Sequence, residues 1–135
     1  MIKRLDHIGI AVEDLDAAIE KYKALTGIKI VKTENVAQQQ VDVAFFPLKE
    51  TSIELLQGTH SLSPITKFLN KKGGSVHHLC FEVDDIENTK AELSKSGFEF
   101  IKAASDKGAH GTKVAFIHPS STGGVLLELV EYPKS

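Results

Sequence analysis

The sequence predicts an α+β fold of two tandem β-α-β-β-β modules, whose strands form a cupped mixed sheet with helices on its outer face. Three observations predict it. LDHIGIAVEDL at residues 5–15 recurs as VHHLCFEVDDI at 76–86, an offset that puts His7 on His78, Val12 on Val83 and Asp14 on Asp85. VAFFP, starting at Val43, recurs at the same offset as VAFIHP, starting at Val114, and SIELLQ around Glu54 answers VLLELVE around Glu128 across a short insertion at about 122–124. Within each copy, two-residue alternation gives way to three- and four-residue spacing and then to further short alternating runs, the periods of strand, helix and strands.

In the first module, residues 4–12 alternate as a strand, with Ile8, Ile10 and Val12 on one face and Leu5, His7, Gly9 and Ala11 on the other. Asp14 then caps a helix whose Leu15, Ala18, Ile19, Tyr22 and Leu25 form an apolar stripe, and Gly27 ends it. Strands are expected at about 28–32, 41–47 and 51–57, separated by turn-forming residues. The second module repeats the order: a strand at 75–83, a helix from about 85 to 96 ended by Gly97, then strands near 98–103, 113–118 and 125–131. Between the modules, Ser63 and Pro64 start a short helix, Ile65, Phe68 and Leu69 give it an apolar side, and Gly73-Gly74 end it. The expected organisation is one domain over 1–135, made of repeats 1–60 and 74–135 joined by a linker helix at about 63–72.

Composition narrows the function. Half-domains of about 60 residues are marginal alone, so packing the two together is the stable solution. A formal net charge of −2 provides no basic field for nucleic acid, which points to small-molecule partners. The single cysteine, Cys80, cannot form an internal disulfide, no segment resembles a signal peptide, and no apolar run has the length of a membrane span. A cytoplasmic protein is expected.

Strand alternation decides which polar residues share a face. His78, Cys80 and Glu82 lie opposite His77, Leu79, Phe81 and Val83; Glu128 lies with Leu126 and Val130; Glu54 lies with Ser52 and Leu56, opposite Ile53 and Leu55. If the aliphatic faces pack under the helices, the other faces curve into a cup lined by His7, Glu54, His78 and Glu128. A carboxylate buried without a partner costs several kcal/mol, so Glu54 and Glu128 each need a cation or a donor. Two imidazoles and two carboxylates at duplicated positions supply four ligands for one divalent ion, with room for two more, a set suited to Co²⁺, Mn²⁺, Ni²⁺, Fe²⁺ or Zn²⁺. The other histidines read as structural: His77 at the core side or a strand edge, His60 in a turn, His118 at a strand end. His110, in the Gly108–Gly111 loop, stands at even weight between a plain loop and a flap over a substrate. Cys80 has no basic group to make it a thiolate and reads as a packing residue. The lysines at Lys71, Lys72, Lys102, Lys107 and Lys113 read as solvated, with phosphate contact the alternative.

The residues LDHIGIAVEDLDAAIEKYKALTG, SIELLQ followed by LSPITKFLNKKGGSVHHLCFEV, and GAHGTKVAFIHP leading into GGVLLELVEYP resemble the vicinal oxygen chelate superfamily, and within it the methylmalonyl-CoA epimerases, over nearly the whole chain. The resemblance implies paired β-α-β-β-β modules with a metal held by His7, Glu54, His78 and Glu128, and a homodimeric enzyme interconverting the C2 epimers of an acyl-CoA. Epimerisation needs a base below a planar enolate and an acid above it, and the duplication suggests Glu128 with Glu54. Some epimerases similar to this chain have glutamine in place of Glu54, and some have glutamate at the place of Asp42, which makes Asp42 a rival second base. Glyoxalase I would use a similar ligand set on a glutathione hemithioacetal. An extradiol dioxygenase needs only three ligands, so Glu54 argues against it. A non-catalytic binding protein of the same fold would need no metal.

Overall fold

The computed structural model describes residues 1–102 and 106–134. Among them the elements run β1 (Ile2–Ala11), α1 (Leu15–Thr26), β2 (Lys32–Val36), β3 (Val41–Pro47), β4 (Ser52–Gly58), α2 (Pro64–Lys72), β5 (Ser75–Val83), α3 (Ile86–Lys95), β6 (Lys113–Ile117) and β7 (Leu127–Glu131). The chain divides into two compact units, His7–His77 and a second made of Met1–Asp6 with His78–Ser135.

In the unit His7–His77 the strand order is β2-β3-β4-β1. β4 runs parallel to β1, with His7 opposite Ser52 and Gly9 opposite Glu54, and antiparallel to β3, with Phe45 opposite Glu54 and Asp42 opposite Gln57. One face carries Ala44, Phe46 and Leu55, packed with Leu15, Ala18, Ile19 and Tyr22 of α1. Asp14 accepts a hydrogen bond from the Ala17 amide at one end of α1, and Gly27 leaves it in the left-handed region (φ 78°), where a side chain would be strained. Gln57 Oε1 accepts the Leu15 amide at 2.8 Å and so pins the start of α1 to the end of β4.

The second unit repeats this plan in the order β5-β7-β6. β5 and β7 are parallel, with Cys80 opposite Glu128, and β6 and β7 antiparallel, with Phe116 opposite Glu128. Val83, Ile86, Ala115, Ile117 and Leu129 form the helix-side core, joined by Phe81, Leu93, Phe98 and Phe100. Asp85 caps α3 on the Asn88 amide, and Glu131 Oε1 accepts the Ile86 amide at 2.8 Å, the counterpart of the Gln57 contact.

Three expectations need correcting. The strand expected at 28–32 begins instead at Lys32, because Ile28 and Val31 turn into the α1 core before pairing with β3 begins. The strand expected at 98–103 shrinks to a bridge between Phe100 and Ile117, flanked by hydrogen bonds from Ile101 N to Phe116 O and from His118 N to Glu99 O; Ala103 lies outside the described residues. Leu25 is 76% exposed, so the apolar stripe of α1 stops a turn early.

Candidate active site

The alternation that buries the aliphatic residues brings a histidine and a glutamate side by side on the opposite face of each unit. In the unit His7–His77, His7 comes from β1 and Glu54 from β4, and His7 Nδ1 lies 3.1 Å from Glu54 Oε2. In the other, His78 comes from β5 and Glu128 from β7, with His78 Nε2 3.0 Å from Glu128 Oε1. His7, His78 and Glu128 are buried, and the Glu54 side chain is 15% exposed. Burial on this scale is costly for a carboxylate without a partner, and in each unit the partner is the repeat-equivalent imidazole. Phe116 presents its ring edge-on to His78, with the ring centres 6.5 Å apart.

The same register removes Asp42 from this arrangement. Asp42 stands opposite Gln57, three residues from the Phe45–Glu54 pair along both strands, so it projects from the face of β3 that carries Ala44 and Phe46. Its Oδ1 accepts a hydrogen bond from Asn35 Nδ2 at 2.8 Å. Asp42 is therefore a cross-strand partner of Asn35 on the side away from Glu54, and the structure does not bring it together with the His–Glu pairs.

The remaining histidines have structural partners. His60 Nδ1 accepts the Leu62 amide and His118 Nδ1 the Ser120 amide, each closing a turn, and His77 packs edge-on against Phe68. His110 sits in the left-handed region (φ 59°) within the loop before β6. Cys80 is fully buried among Val114, Val130 and Phe116, as a packing residue would be.

One buried polar group was not singled out from sequence. Asp6 is 4% exposed and its Oδ1 accepts hydrogen bonds from Tyr132 Oη at 2.7 Å and Arg4 Nη2 at 3.0 Å. Arg4 Nε also donates to Glu82 at 2.8 Å. Partial burial opposes the Arg4 charge, but the Glu82 hydrogen bond and the charges of Asp6 and Glu82 outweigh it and hold the guanidinium above its ordinary value. The signal was present as charged residues near the start of β1, but apart from the local Arg4–Asp6 bond their partners, Glu82 and Tyr132, lie 78 and 126 positions away and no local pattern names them.

The donor set can be tested against a metal ion. Ligands at about 2.1 Å from a divalent ion and at right angles to each other stand about 3.0 Å apart. Each unit presents one imidazole nitrogen and one carboxylate oxygen at 3.0–3.1 Å. Hard oxygen and borderline nitrogen donors of this kind fit a first-row divalent ion.

A family model for the glyoxalase/bleomycin resistance protein/dioxygenase superfamily matches residues 6–116. The chain belongs to that superfamily. Its α+β architecture is the vicinal oxygen chelate fold. Among members of the superfamily, the chain is 40% identical to the ethylmalonyl-CoA/methylmalonyl-CoA epimerase of Cereibacter sphaeroides over 131 residues, which cover 96% of this chain and 98% of that one. The crystal structure of methylmalonyl-CoA epimerase from Mycobacterium tuberculosis superposes with a TM-score of 0.90 at 35% identity, covering 98% of this chain and 90% of that one. A Streptomyces coelicolor methylmalonyl-CoA epimerase variant, in complex with 2-nitronate-propionyl-CoA, superposes with a TM-score of 0.89 at 33% identity, covering 98% of this chain and 96% of that one.

Proposed function

We infer that this chain is a methylmalonyl-CoA epimerase, an isomerase that interconverts the two C2 epimers of its acyl-CoA substrate. The observation that carries the reading is the repeat-equivalent His–Glu pair in each unit, at 3.1 Å and 3.0 Å, in a chain 40% identical to an epimerase over nearly its full length.

His7, Glu54, His78 and Glu128 would hold one divalent ion (Co²⁺, Mn²⁺, Ni²⁺, Zn²⁺ or Fe²⁺), which when bound supplies Lewis-acid stabilisation of the negative charge that develops on the thioester oxygen. Glu128 and Glu54 move the proton: one carboxylate takes it from C2 on one side of the substrate, and the other returns a proton from the opposite side. A carboxylate has two oxygens, so one would face the ion beside its imidazole nitrogen while the other exchanges the proton. Held in this way, the carboxylates have the fixed orientation that a proton transfer over hydrogen-bond distance requires. The apolar residues on the Glu128 face, Val114, Phe116 and Val130, limit access of water to the reacting carbon.

We further propose that residues 1–135 act as one domain, in a cytoplasmic homodimer. No helix among the described residues is long and apolar enough to cross a membrane. The direct test of function is deuterium incorporation at C2 of methylmalonyl-CoA in D₂O by metal-loaded protein. Incorporation from both epimers is expected; inertness toward methylmalonyl-CoA with conversion of methylglyoxal and glutathione would select a glyoxalase instead.

A further inference from the structure

The buried network of Asp6, Arg4, Glu82 and Tyr132 has no part in the chemistry above, yet its place in the chain is specific. The strand β1 is divided between the two units: Met1–Asp6 belongs with His78–Ser135, and His7 opens the other unit. Asp6 and His7 are the only consecutive buried residues of β1. Alternation buries every second residue of a half-covered strand, so the burial of Asp6 is additional and needs partners of its own. Those partners stand on or beside the strands that carry His78 and Glu128. Tyr132, one residue past the end of β7, donates its hydroxyl to Asp6 Oδ1 at 2.7 Å. Arg4 donates Nη2 to the same oxygen at 3.0 Å, and Nε to Glu82 Oε1 on β5 at 2.8 Å.

A buried charged network contributes little to stability that well-packed apolar side chains would not. What it adds is register. A slip of β1 by two residues returns each side chain to its own face, so hydrophobic alternation does not forbid it. Such a slip would move His7 by roughly 7 Å and put Leu5 or Gly9 in its place. It would also leave the Asp6 carboxylate without the Tyr132 hydroxyl, the penalty of a buried acceptor stripped of its donor. Pairing of His7–Ala11 with β4 begins at the very next residue, so the anchor acts where the ligand-bearing part of the strand starts.

We propose that Asp6 is a positioning residue for the metal site: its bonds to Tyr132 and Arg4 set the register of β1 and with it the place of the His7 imidazole. The proposal rests on the four-ligand reading of His7, Glu54, His78 and Glu128, and adds the residues that keep one of those ligands in position. Groups that orient a ligand in this way act on metal affinity without touching the ion.

The test is Co²⁺ binding to the metal-stripped full chain, read from the visible absorption bands that report the ion's ligand geometry. Tyr132→Phe keeps the ring and removes the hydroxyl; it should bind Co²⁺ roughly tenfold more weakly, with altered bands, and Asp6→Ala should lose roughly 10- to 100-fold. Asp6→Asn keeps an oxygen for the Tyr132 hydroxyl and should recover much of what Asp6→Ala loses. Ile86→Ala cuts a fully buried side chain from the helix-side core of the same unit, so it should melt earlier yet keep the wild-type affinity and bands. An equal loss of affinity in Ile86→Ala would overturn the positioning role. Co²⁺ bound by Tyr132→Phe with the affinity and bands of wild type would also overturn it, whether or not Asp6→Ala folds, and would leave the four-ligand reading standing. Wild-type protein that binds no Co²⁺ would sink that reading and the positioning role with it.

Discussion

The two units hold the same pair of residues by different atoms. In the unit His7–His77 the pair forms through His7 Nδ1, in the other through His78 Nε2, yet the nitrogen–oxygen distances are 3.1 Å and 3.0 Å. Beside Glu54 stands Gly9, with no side chain; in the equivalent place beside Glu128 stands the fully buried Cys80. Gln57 anchors the start of α1 with a neutral amide, whereas Glu131 anchors α3 with a carboxylate. What the copies share is a nitrogen donor next to an oxygen donor at the spacing of adjacent metal ligands, and what they vary is the ring orientation and the packing behind it. On the proposed function, the requirement common to both halves is a donor set, and a specific hydrogen-bond geometry is secondary to it.

If that is right, each half should be indispensable to the ion. His7→Ala and His78→Ala should each lose most of the bound metal, because each removes a nitrogen ligand that no neighbour replaces. Elemental analysis of the purified variants reads this out, and full occupancy in either one would break the equivalence of the two halves.

The cores should show the same parity. Phe46→Ala in one unit should cost about 3–5 kcal/mol and Leu129→Ala in the other about 2–5 kcal/mol, since both side chains are fully buried. Urea melts should keep a single transition in each variant; two transitions, one per unit, would argue against a shared domain. Smaller effects sharpen the comparison of the helix starts. Asp14→Ala and Asp85→Ala each remove one capping hydrogen bond, at 3.1 Å and 3.0 Å, and should each cost about 1 kcal/mol by the same melts. A cost confined to one of them would mark that helix as held by its packing instead. Asp42→Asn, on the face away from Glu54, should leave metal content and epimerisation unchanged.

Much of this was legible in the sequence because the duplication doubled each signal. A lone glutamate in SIELLQ is ambiguous, but Glu54 and Glu128 recurring on equivalent strands, each with a histidine on an equivalent first strand, fixed their face by alternation alone. Asp14 and Gly27 bounded α1 by local chemistry, and Ser63 with Pro64 began α2 in the same way. The placement of Asp42 was not legible because family resemblance names a position without its face, and the β3–β4 register needed to assign that face depends on pairing between strands. The network of Asp6, Arg4, Glu82 and Tyr132 was missed for a related reason: its bonds join residues up to 126 positions apart. The edge segment at 98–102 was overread, since β-prone residues such as Phe98 and Phe100 serve the α3 core as readily as a ladder.

The central claim is that equivalent carboxylates from the two halves act on opposite faces of one substrate. It is tested most directly by Glu54→Gln and Glu128→Gln, each shown by elemental analysis to retain its ion, and each given the separate C2 epimers of methylmalonyl-CoA in D₂O. Both variants should lose epimerisation by roughly 10²- to 10⁴-fold, the cost of removing a general base, and each should exchange the C2 proton of a different single epimer. Exchange of the same epimer by both variants, or full epimerisation by either, would contradict it.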